Sequence, residues 1–381
     1  AAARAAAAEA RTSGPARRLA GRVKRRLLRP VWRWWRLARV FPLRPLGWAA
    51  ALESVVEPAD IWHGMWAGSL PALASMRRRH GGRTIYDSRD VYMQSRDFAE
   101  AGGPGKRILE WLERRWAHDA DLVMTVNEPY AELLTEQLRI TRPPVVMNCP
   151  EAWEPPVPRP DLIREALGLG PDVSVVLYQG QFISGRGIEQ AMAAILDVPN
   201  AVLALLGFGS WLARLTRETA EPPFAGRVAI LPAVPPSELL RWTASADVAV
   251  MAIQPTSVNH RFTTPQKLFE SLAAGVPVVA SDLPGMADVI RTARVGLVCD
   301  PESPAAIATA IREIVAAPAA EREAQRTHVL RVAHEQYNWD AQVVTLFAVY
   351  RELLPVGIKV PSERPSILGD EAPIDRSTAA S

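Results

Sequence analysis

The sequence has few of the residues and patterns that link chains covalently, bind metals or cross a bilayer. Its two cysteines, Cys149 and Cys299, are isolated, so they match neither a metal-binding spacing nor a disulfide framework. We therefore expect a reducing compartment. No apolar run reaches the roughly 18 residues that a membrane-spanning helix needs. With 381 residues, 48% of them hydrophobic, the chain is long enough for two domains with large cores.

Acidic residues are almost absent from the first 50 positions. These contain 13 Lys or Arg and one acid, Glu9, so the remaining 31 basic and 40 acidic residues carry a net charge of −9. Trp32, Trp34 and Trp35 lie among the arginines. Residues 15–50 are typical of a helix that contacts an anionic membrane surface, and a solvated basic surface helix explains them equally well. No nucleic-acid-binding motif accompanies the charge, so we expect no nucleic acid partner.

From residue 58 onward, apolar runs that favour strands alternate with helical patterns, which indicates parallel α/β layers. The first series predicts strands at 59–64, 83–88, 121–126 and 145–148. A proline-rich stretch at 151–162 indicates a linker. The second series predicts six strands, at 173–179, 201–206, 227–231, 247–252, 276–281 and 295–299.

The two series divide the chain into segments. We predict a basic segment at 1–57, a first domain at 58–155, a second at 156–335, a C-terminal helix at 336–355 and a disordered tail at 356–381. A doubly wound domain usually has about six strands, and the chain begins with Ala. We therefore expect that the first domain lacks its initial strands here.

Three strand-to-helix turns of the second domain carry the residues with binding chemistry. Gly180 ends a predicted strand, and Arg186 comes just before the next helix, where backbone amides and a guanidinium suit phosphate oxygens. Gly207, after the next strand, allows a close approach of the backbone. Ligands of doubly wound domains lie outside the carboxyl ends of the strands, so these turns indicate a ligand site.

The third turn precedes the stretch TTPQKLFESLAAGVPVVAS, in which Thr264 is the expected N-cap. Lys267 then falls in the first turn of a helix, where the helix dipole disfavours a cation unless an anion is near. Glu270 follows three residues later, where its carboxylate can accept hydrogen bonds from two hydroxyl groups. This order suits a nucleoside diphosphate, with the phosphates at Lys267 and the ribose at Glu270. A surface Lys–Glu pair is the simpler alternative.

The chain resembles the retaining glycosyltransferases of family 4. The resemblance covers about residues 58–355 and is strongest in the Gly180–Gly187 turn, HRFTTPQKLFESLAAGVPVVASDLPGM, VGLVCDPESP and YNWD. It implies an α/β fold of the GT-B class, with two Rossmann-like doubly wound domains that face a cleft. It also implies transfer of a sugar from a UDP- or GDP-sugar donor to a glycan or lipid-linked acceptor, with no cofactor and no metal, at the cytoplasmic side of a membrane.

The resemblance assigns roles to individual residues. It implies that Arg186 and Lys267 bind the diphosphate and that Glu270 binds the ribose. The backbone near Val234 is expected to meet the base, and His63 to face the donor sugar as a catalytic residue. The remaining donor-binding residues implied by the resemblance are Gly180, Gly207, Arg261 and Leu268.

Three positions depart from the family pattern. Phe262 stands where the family commonly has the first of two acids that are separated by seven residues, so the sugar contact passes to neighbours such as His260 or Arg261. Gln181 stands where an arginine is frequent. Met65 replaces the second histidine of a His-x-His pair, which leaves His63 alone. These departures keep two alternatives open, a sugar-nucleotide epimerase and a non-catalytic GT-B protein that binds a sugar nucleotide or acts as a scaffold.

Overall fold

The computed structural model describes residues 35, 37–95, 98 and 103–354. Most of the predicted basic segment and all of the predicted tail lie outside these residues. In the described part, no helix is long and apolar enough to cross a bilayer. The described residues form two compact units, the first comprising those up to residue 88 and those within 92–123, and the second comprising residues 89–91 and those from 124 onward.

The first unit is built on a three-stranded sheet whose strand order follows the sequence. β1 and β2 are parallel, with Ile61 opposite Arg83 and Met65 opposite Asp87. The strands are β1 (Ile61–Met65), β2 (Arg83–Ser88) and β3 (Leu122–Thr125), and the helices are α1 (Arg44–Leu52), α2 (Leu70–His80) and α3 (Pro104–Ala117). Short helical turns lie at Arg39–Leu43, Ala67–Ser69 and Tyr92–Gln94.

The strand expected at 145–148 is reduced to a single parallel bridge between Thr125 and Val145. The chain leaves the sheet at once, because the Met147 N–H donates to Gln342 Oε1 at 3.0 Å instead of to a strand. The expectation that further strands of the first domain are missing stays a prediction.

A buried carboxyl group lies against the first sheet. Glu113 on α3 is 4% exposed, and its Oε1 accepts a hydrogen bond of 3.0 Å from the Tyr86 hydroxyl. The Tyr86 oxygen in turn accepts from Ser88 Oγ at 3.1 Å. Burial raises the pKa of Glu113 to about 7, although the Tyr86 hydrogen bond opposes the shift.

The second unit is a doubly wound domain, and all six predicted strands are present in one parallel sheet. The strands are β4 (Ser174–Gln181), β5 (Ala201–Phe208), β6 (Val228–Pro232), β7 (Val248–Met251), β8 (Val278–Ser281) and β9 (Gly296–Cys299). The helices are α4 (Glu128–Leu138), α5 (Leu162–Leu167), α6 (Ile188–Ile195), α7 (Leu212–Thr219), α8 (Pro236–Ala244), α9 (Val258–Phe262), α10 (Gln266–Ala273), α11 (Pro284–Ala293), α12 (Pro304–Val315), α13 (Ala319–Glu335) and α14 (Trp339–Leu353).

The strand order is β6-β5-β4-β7-β8-β9. Strands β4 to β6 are added towards one edge of the sheet and strands β7 to β9 towards the other, so the order in which strands are added reverses between β4 and β7. Successive residues of β4 enter opposite cores, with Val175 and Leu177 in one and Val176 and Tyr178 in the other. Both faces of the sheet are therefore covered, as the apolar strands predict. A doubly wound sheet binds its ligands at such a reversal, outside the carboxyl ends of the strands, so the end of β4 is the place to look for a site.

The compact units differ from the predicted division near residue 155, because α4 contacts the end of the second sheet. Asn127 Nδ2 donates to the Phe262 carbonyl at 2.9 Å and to Thr264 Oγ1 at 3.1 Å. The Tyr130 hydroxyl donates to the Asn259 carbonyl at 3.0 Å. The predicted division into segments stays a prediction, and it differs from the compact units in placing α4 in the first domain.

Candidate functional site

The turn between β4 and α6 contains three glycines with positive φ. Gly180, Gly185 and Gly187 have φ of +122°, +78° and +76°, which favours glycine. A Cβ at Gly180 would have no atom within 4 Å, whereas a Cβ at Gly187 would lie 1.9 Å from the Ala252 carbonyl oxygen. The turn thus packs against the end of β7 through Gly187, while the backbone at Gly180 has free space beside it.

Arg186 lies between these last two glycines and is half-buried. Within the described residues its guanidinium makes no hydrogen bond or ion pair. A cavity of about 250 Å³ adjoins the turn and is lined by parts of 184–190 and 254–256 together with Trp211 and Glu302. A cation with unused donors beside the start of α6 is suited to bind phosphate oxygens.

Gly207, near the end of β5, allows β5 to pack closely against the end of β4. A Cβ there would lie 1.9 Å from the Gly180 carbonyl oxygen, so only glycine fits between the ends of β4 and β5. This requirement accounts for Gly207 without any ligand. Its predicted contact with a donor stays a prediction.

Lys267 lies in the first turn of α10, as the sequence predicts, and is half-buried, with its ammonium group removed from water. Helix α10 begins at Gln266, one residue later than expected, and Thr264 binds Asn127 instead of capping it. The Lys267 ammonium stands 4.3 Å from the centre of the Tyr178 ring and donates to the Gln179 carbonyl at 3.3 Å. Burial and then the nearby Arg186 charge lower its pKa to about 7, while Glu270 opposes this shift. Two desolvated cations therefore face the same turn.

Glu270, one turn further along α10, is oriented by a hydrogen-bond chain. Gln179 Nε2 donates to Glu270 Oε2 at 2.7 Å, and Gln179 Oε1 accepts from Thr243 Oγ1 at 2.7 Å. Burial raises the pKa of Glu270, whereas the Gln179 hydrogen bond and the Lys267 charge lower it. Gln179 and Thr243 were not found from the sequence. The only available signal was the position of Gln179 next to Gly180.

Helix α9 brings His260 to the same place. Its Nδ1 lies 2.9 Å from Thr256 Oγ1 and 3.2 Å from the Gln254 carbonyl oxygen. Burial, followed by the charge of Arg186, lowers its pKa, so the ring is biased towards the neutral form. A Cβ on Gly185 would lie 3.1 Å from His260 Cε1, which shows how closely α9 approaches the turn. His260 is therefore placed to contact a ligand there.

Arg261 is exposed and lines a separate cavity of about 430 Å³ at the carboxyl ends of β8 and β9. Its neighbour Phe262 packs with Val91, Val126 and Tyr130. The side chain that replaces the expected acid thus has a packing role.

Leu268 and Val234, which the resemblance assigned to donor binding, have side chains that pack on the core. The Leu268 side chain is fully buried in the core, and its N–H donates to the Pro265 carbonyl at 2.9 Å. We correct the Leu268 assignment on this ground, because neither its side chain nor its amide is directed to the turn. Val234 is half-buried between β6 and α8 and packs on the core, so only its backbone is available to a base.

His63 belongs to the first unit, on β1. Its Nε2 lies 3.6 Å from Asp87 Oδ2 at the end of β2, and its side chain is 22% exposed. The carboxylate can orient the imidazole. The catalytic assignment of His63 stays a prediction.

The second unit therefore places Arg186, Lys267 and Glu270 together at the carboxyl end of β4, with His260 beside them. Two cations next to a helix start can bind a diphosphate, and the oriented carboxylate can accept hydrogen bonds from a sugar diol. A doubly wound sheet with this site has the features of a nucleotide-sugar-binding domain of the GT-B class.

Comparison with known proteins agrees with this class. Residues 174–317 match the family model described as glycosyl transferases group 1, and residues 1–151 match the glycosyl transferase 4-like domain. The two matches together cover more than half of the chain. The chain belongs to the group 1 glycosyltransferases, which confirms both the resemblance and the identification as an enzyme of this type.

Two curated relatives extend over most of the chain. A GDP-mannose-dependent α-(1-6)-phosphatidylinositol monomannoside mannosyltransferase of Mycolicibacterium smegmatis is 27% identical over 71% of this chain and 71% of its own length. A D-inositol 3-phosphate glycosyltransferase of Acidothermus cellulolyticus is 25% identical, over 79% of this chain and 69% of its own.

A solved structure supports the fold. Anabaena HepE in complex with UDP has a TM-score of 0.65 at 15% identity, covering 80% of this chain and 81% of that one. At this identity the likeness concerns the fold alone, and it confirms the predicted α/β fold of the GT-B class.

Proposed function

We propose that this glycosyltransferase moves a hexose from a UDP- or GDP-sugar to a glycan or lipid-linked acceptor, with retention of the anomeric configuration and without a metal or cofactor. The observation that carries the proposal is the desolvated Lys267 ammonium beside Arg186, with Glu270 held one turn away by Gln179. A diphosphate between the two cations relieves their mutual repulsion, and the ribose then reaches the carboxylate.

The same cations assist the chemistry. When the sugar–phosphate bond breaks, negative charge accumulates on the departing diphosphate, and fixed cations in a site shielded from water stabilise that charge. The sugar carbon becomes oxocarbenium-like, as in glycoside hydrolysis. His63, with Asp87 behind it, is the group of the first unit that we assign to the donor sugar.

Calorimetric titration with UDP, GDP, ADP and dTDP tests the donor site. We expect one nucleotide to bind tightly, and Arg186→Ala and Glu270→Ala each to weaken it about tenfold or more, since each removes a charge-assisted interaction. Unchanged affinity in both variants would overturn the assignment. NMR analysis of the anomeric configuration of the product tests retention.

The acceptor proposal draws on the relatives, whose names describe transfer to a phosphatidylinositol mannoside or to an inositol phosphate. A lipid-linked acceptor agrees with an anionic membrane contact through residues 15–50 at the cytoplasmic face. Vesicle co-sedimentation with and without residues 1–50 tests this contact. Equal binding to neutral and anionic vesicles would contradict it.

The packing of Phe262 in place of an acid favours one second candidate, a protein that binds the sugar nucleotide without transferring the sugar. Donor turnover in the presence of cell lysate separates the two. Binding without turnover would favour the non-catalytic protein.

A further inference from the structure

A second cavity lies at the opposite end of the sheet of the second unit. It measures about 590 Å³, and its lining includes Asp247, Pro277 and Gly296, which precede or begin β7, β8 and β9. The end of α11, the end of α12 and the start of α13 complete the wall. Arg186 and Lys267 stand at the carboxyl end of β4, so the proposed donor site does not use this cavity. Its size is that of an ordinary small-molecule pocket.

The most unusual side chain of the cavity is Arg326 on α13. It is only 9% exposed, and among the described residues it makes one side-chain hydrogen bond, to the Ala274 carbonyl at 3.3 Å, and no ion pair. Burial and the neighbouring Arg159 charge both lower its pKa, while the charge of Glu323 opposes this shift. Buried arginines are normally paired with an anion, whereas Arg326 has no ion-pair partner among the described residues.

Two other arginines of the cavity donate mainly to backbone carbonyls, and Arg159 also forms an ion pair of 3.7 Å with Asp247. Arg159 Nε donates to the Ala244 carbonyl at 2.7 Å, and Arg322 Nη1 donates to the carbonyls of Val315 and Ala317 at 3.1 and 2.9 Å. Carbonyl partners fix these guanidinium groups without neutralising them.

The acids around the cavity compensate these charges poorly. Asp247 is shared between Arg164, its nearer partner, and Arg159 at 3.7 Å, and Glu313, Glu321 and Glu323 are exposed to water, which screens them. Arg294 at the mouth makes no side-chain hydrogen bond or ion pair within the described residues. Arg291 is paired with Asp282 at 2.7 Å. The five arginines that line the cavity outnumber its four acids, of which Glu313, Glu321 and Glu323 are exposed.

We propose that this cavity binds a small molecule through a phosphoryl or diphosphate group, with Arg326 at its floor and Arg294 at its mouth. A guanidinium group presents parallel N–H donors that match two phosphate oxygens. Binding would give the buried Arg326 the anion that it lacks. Helix α10 connects the cavity with the proposed donor site. Arg326 donates to the carbonyl of Ala274, the C-cap of α10, and the same helix carries Lys267 and Glu270.

Calorimetric titration of the full chain with inorganic pyrophosphate tests the proposal. The double variant Arg186→Ala/Lys267→Ala serves as background, because it removes the cations at the other end of the sheet. We expect one binding site to remain there, to be weakened about tenfold or more by adding Arg326→Met, and to be weakened several-fold by adding Arg294→Gln. The matched control is Arg331→Ala, on the same helix, whose exposed side chain pairs with Glu335 at 2.7 Å and does not line the cavity.

Absence of pyrophosphate binding in the double-variant background would overturn the proposal. The same holds if Arg326→Met and Arg294→Gln bind as tightly as Arg331→Ala. Should Arg326→Met fail to fold, the exposed Arg294→Gln decides alone. Because the donor-site cations are already removed, failure here leaves the proposed transferase function untouched.

Discussion

Gln179 Nε2 donates a hydrogen bond of 2.7 Å to Glu270 Oε2, and the backbone oxygen of the same glutamine accepts from Lys267 Nζ at 3.3 Å. One residue of β4 thus holds both functional groups of α10. The Thr243 hydroxyl donates to Gln179 Oε1 at 2.7 Å. The glutamine amide therefore cannot rotate without breaking a buried hydrogen bond. The carboxylate is therefore oriented before any nucleotide arrives, which reduces the ordering cost of binding.

The variant Gln179→Met should weaken nucleotide binding at this site. Methionine fills a similar volume but cannot hydrogen bond to Glu270, so the carboxylate loses its orientation. We expect about a tenfold loss of affinity for the preferred nucleoside diphosphate, equivalent to one buried charge-assisted hydrogen bond. Isothermal titration calorimetry measures it.

Gln336→Met is the matched control, because its side chain is exposed and the residue serves only as the end of α13. Its affinity should equal that of the unaltered chain. If Gln179→Met binds the nucleotide as tightly as this control, the orienting role of Gln179 is wrong.

Nucleotide affinity should fall as the pH rises above 7. Burial, with the Arg186 charge, holds the pKa of Lys267 at about 7 in the empty site. A bound diphosphate favours the protonated lysine, so above pH 7 binding must include uptake of a proton. Affinity then decreases by up to about tenfold per pH unit between pH 7.5 and 8.5.

Calorimetry in two buffers of different ionisation enthalpy detects this proton uptake directly. Lys267→Met should bind more weakly and lose the pH dependence above 7. An identical pH dependence in Lys267→Met would assign it to another group and contradict the prediction.

The sequence predicted the second unit well because its signals are local. Six apolar strands, each bounded by turn residues, were identified within a few residues of their observed limits. Lys267 was found because a cation in the first turn of a helix is unfavourable without an anion. Such signals depend only on neighbours along the chain.

The parts that were missed depend on contacts between distant residues. Gln179 lies 91 positions from Glu270 and 64 from Thr243, so no local pattern links them. The hydrogen bond that joins Asn127 to the Phe262 carbonyl spans 135 positions. The resemblance placed Leu268 at the donor, whereas its side chain is fully buried in the core.

Gly187→Ala should be markedly destabilising because of where its Cβ would lie. The added atom would stand 1.9 Å from the Ala252 carbonyl oxygen, and φ at this position is +76°. We expect a loss of about 2–4 kcal/mol, from the left-handed backbone and from the forced shift of β7. Thermal unfolding of the intact chain reports the change.

Gly168→Ala isolates the backbone contribution. Gly168 has φ of +63°, and a Cβ there would meet nothing within 4 Å, so only the left-handed conformation costs energy. We expect about 1 kcal/mol. Equal losses in the two variants would show that the contact with Ala252 is relieved at no cost.

The first unit should become less stable as the pH rises from 5 to 8. The pKa of Glu113 is about 7 in the folded chain, against 4.5 for an unperturbed glutamate, because burial disfavours its charged form. Between these values the folded state holds a proton that the unfolded state has released, so each increase in pH favours unfolding. The free energy of unfolding decreases by about 3 kcal/mol in total, and the decrease is complete above the pKa of Glu113 in the folded chain.

Hydrogen exchange of β2 and α3 peptides in the intact chain measures this local stability, after correction for the intrinsic exchange rate at each pH. Glu113→Gln keeps an acceptor for the Tyr86 hydroxyl and cannot ionise, so its protection should stay constant while that of the unaltered chain declines. A parallel decline in the two proteins would mean that another group controls the pH dependence. Protection that increases with pH only in the unaltered chain would show that Glu113 is ionised and stabilised in the fold.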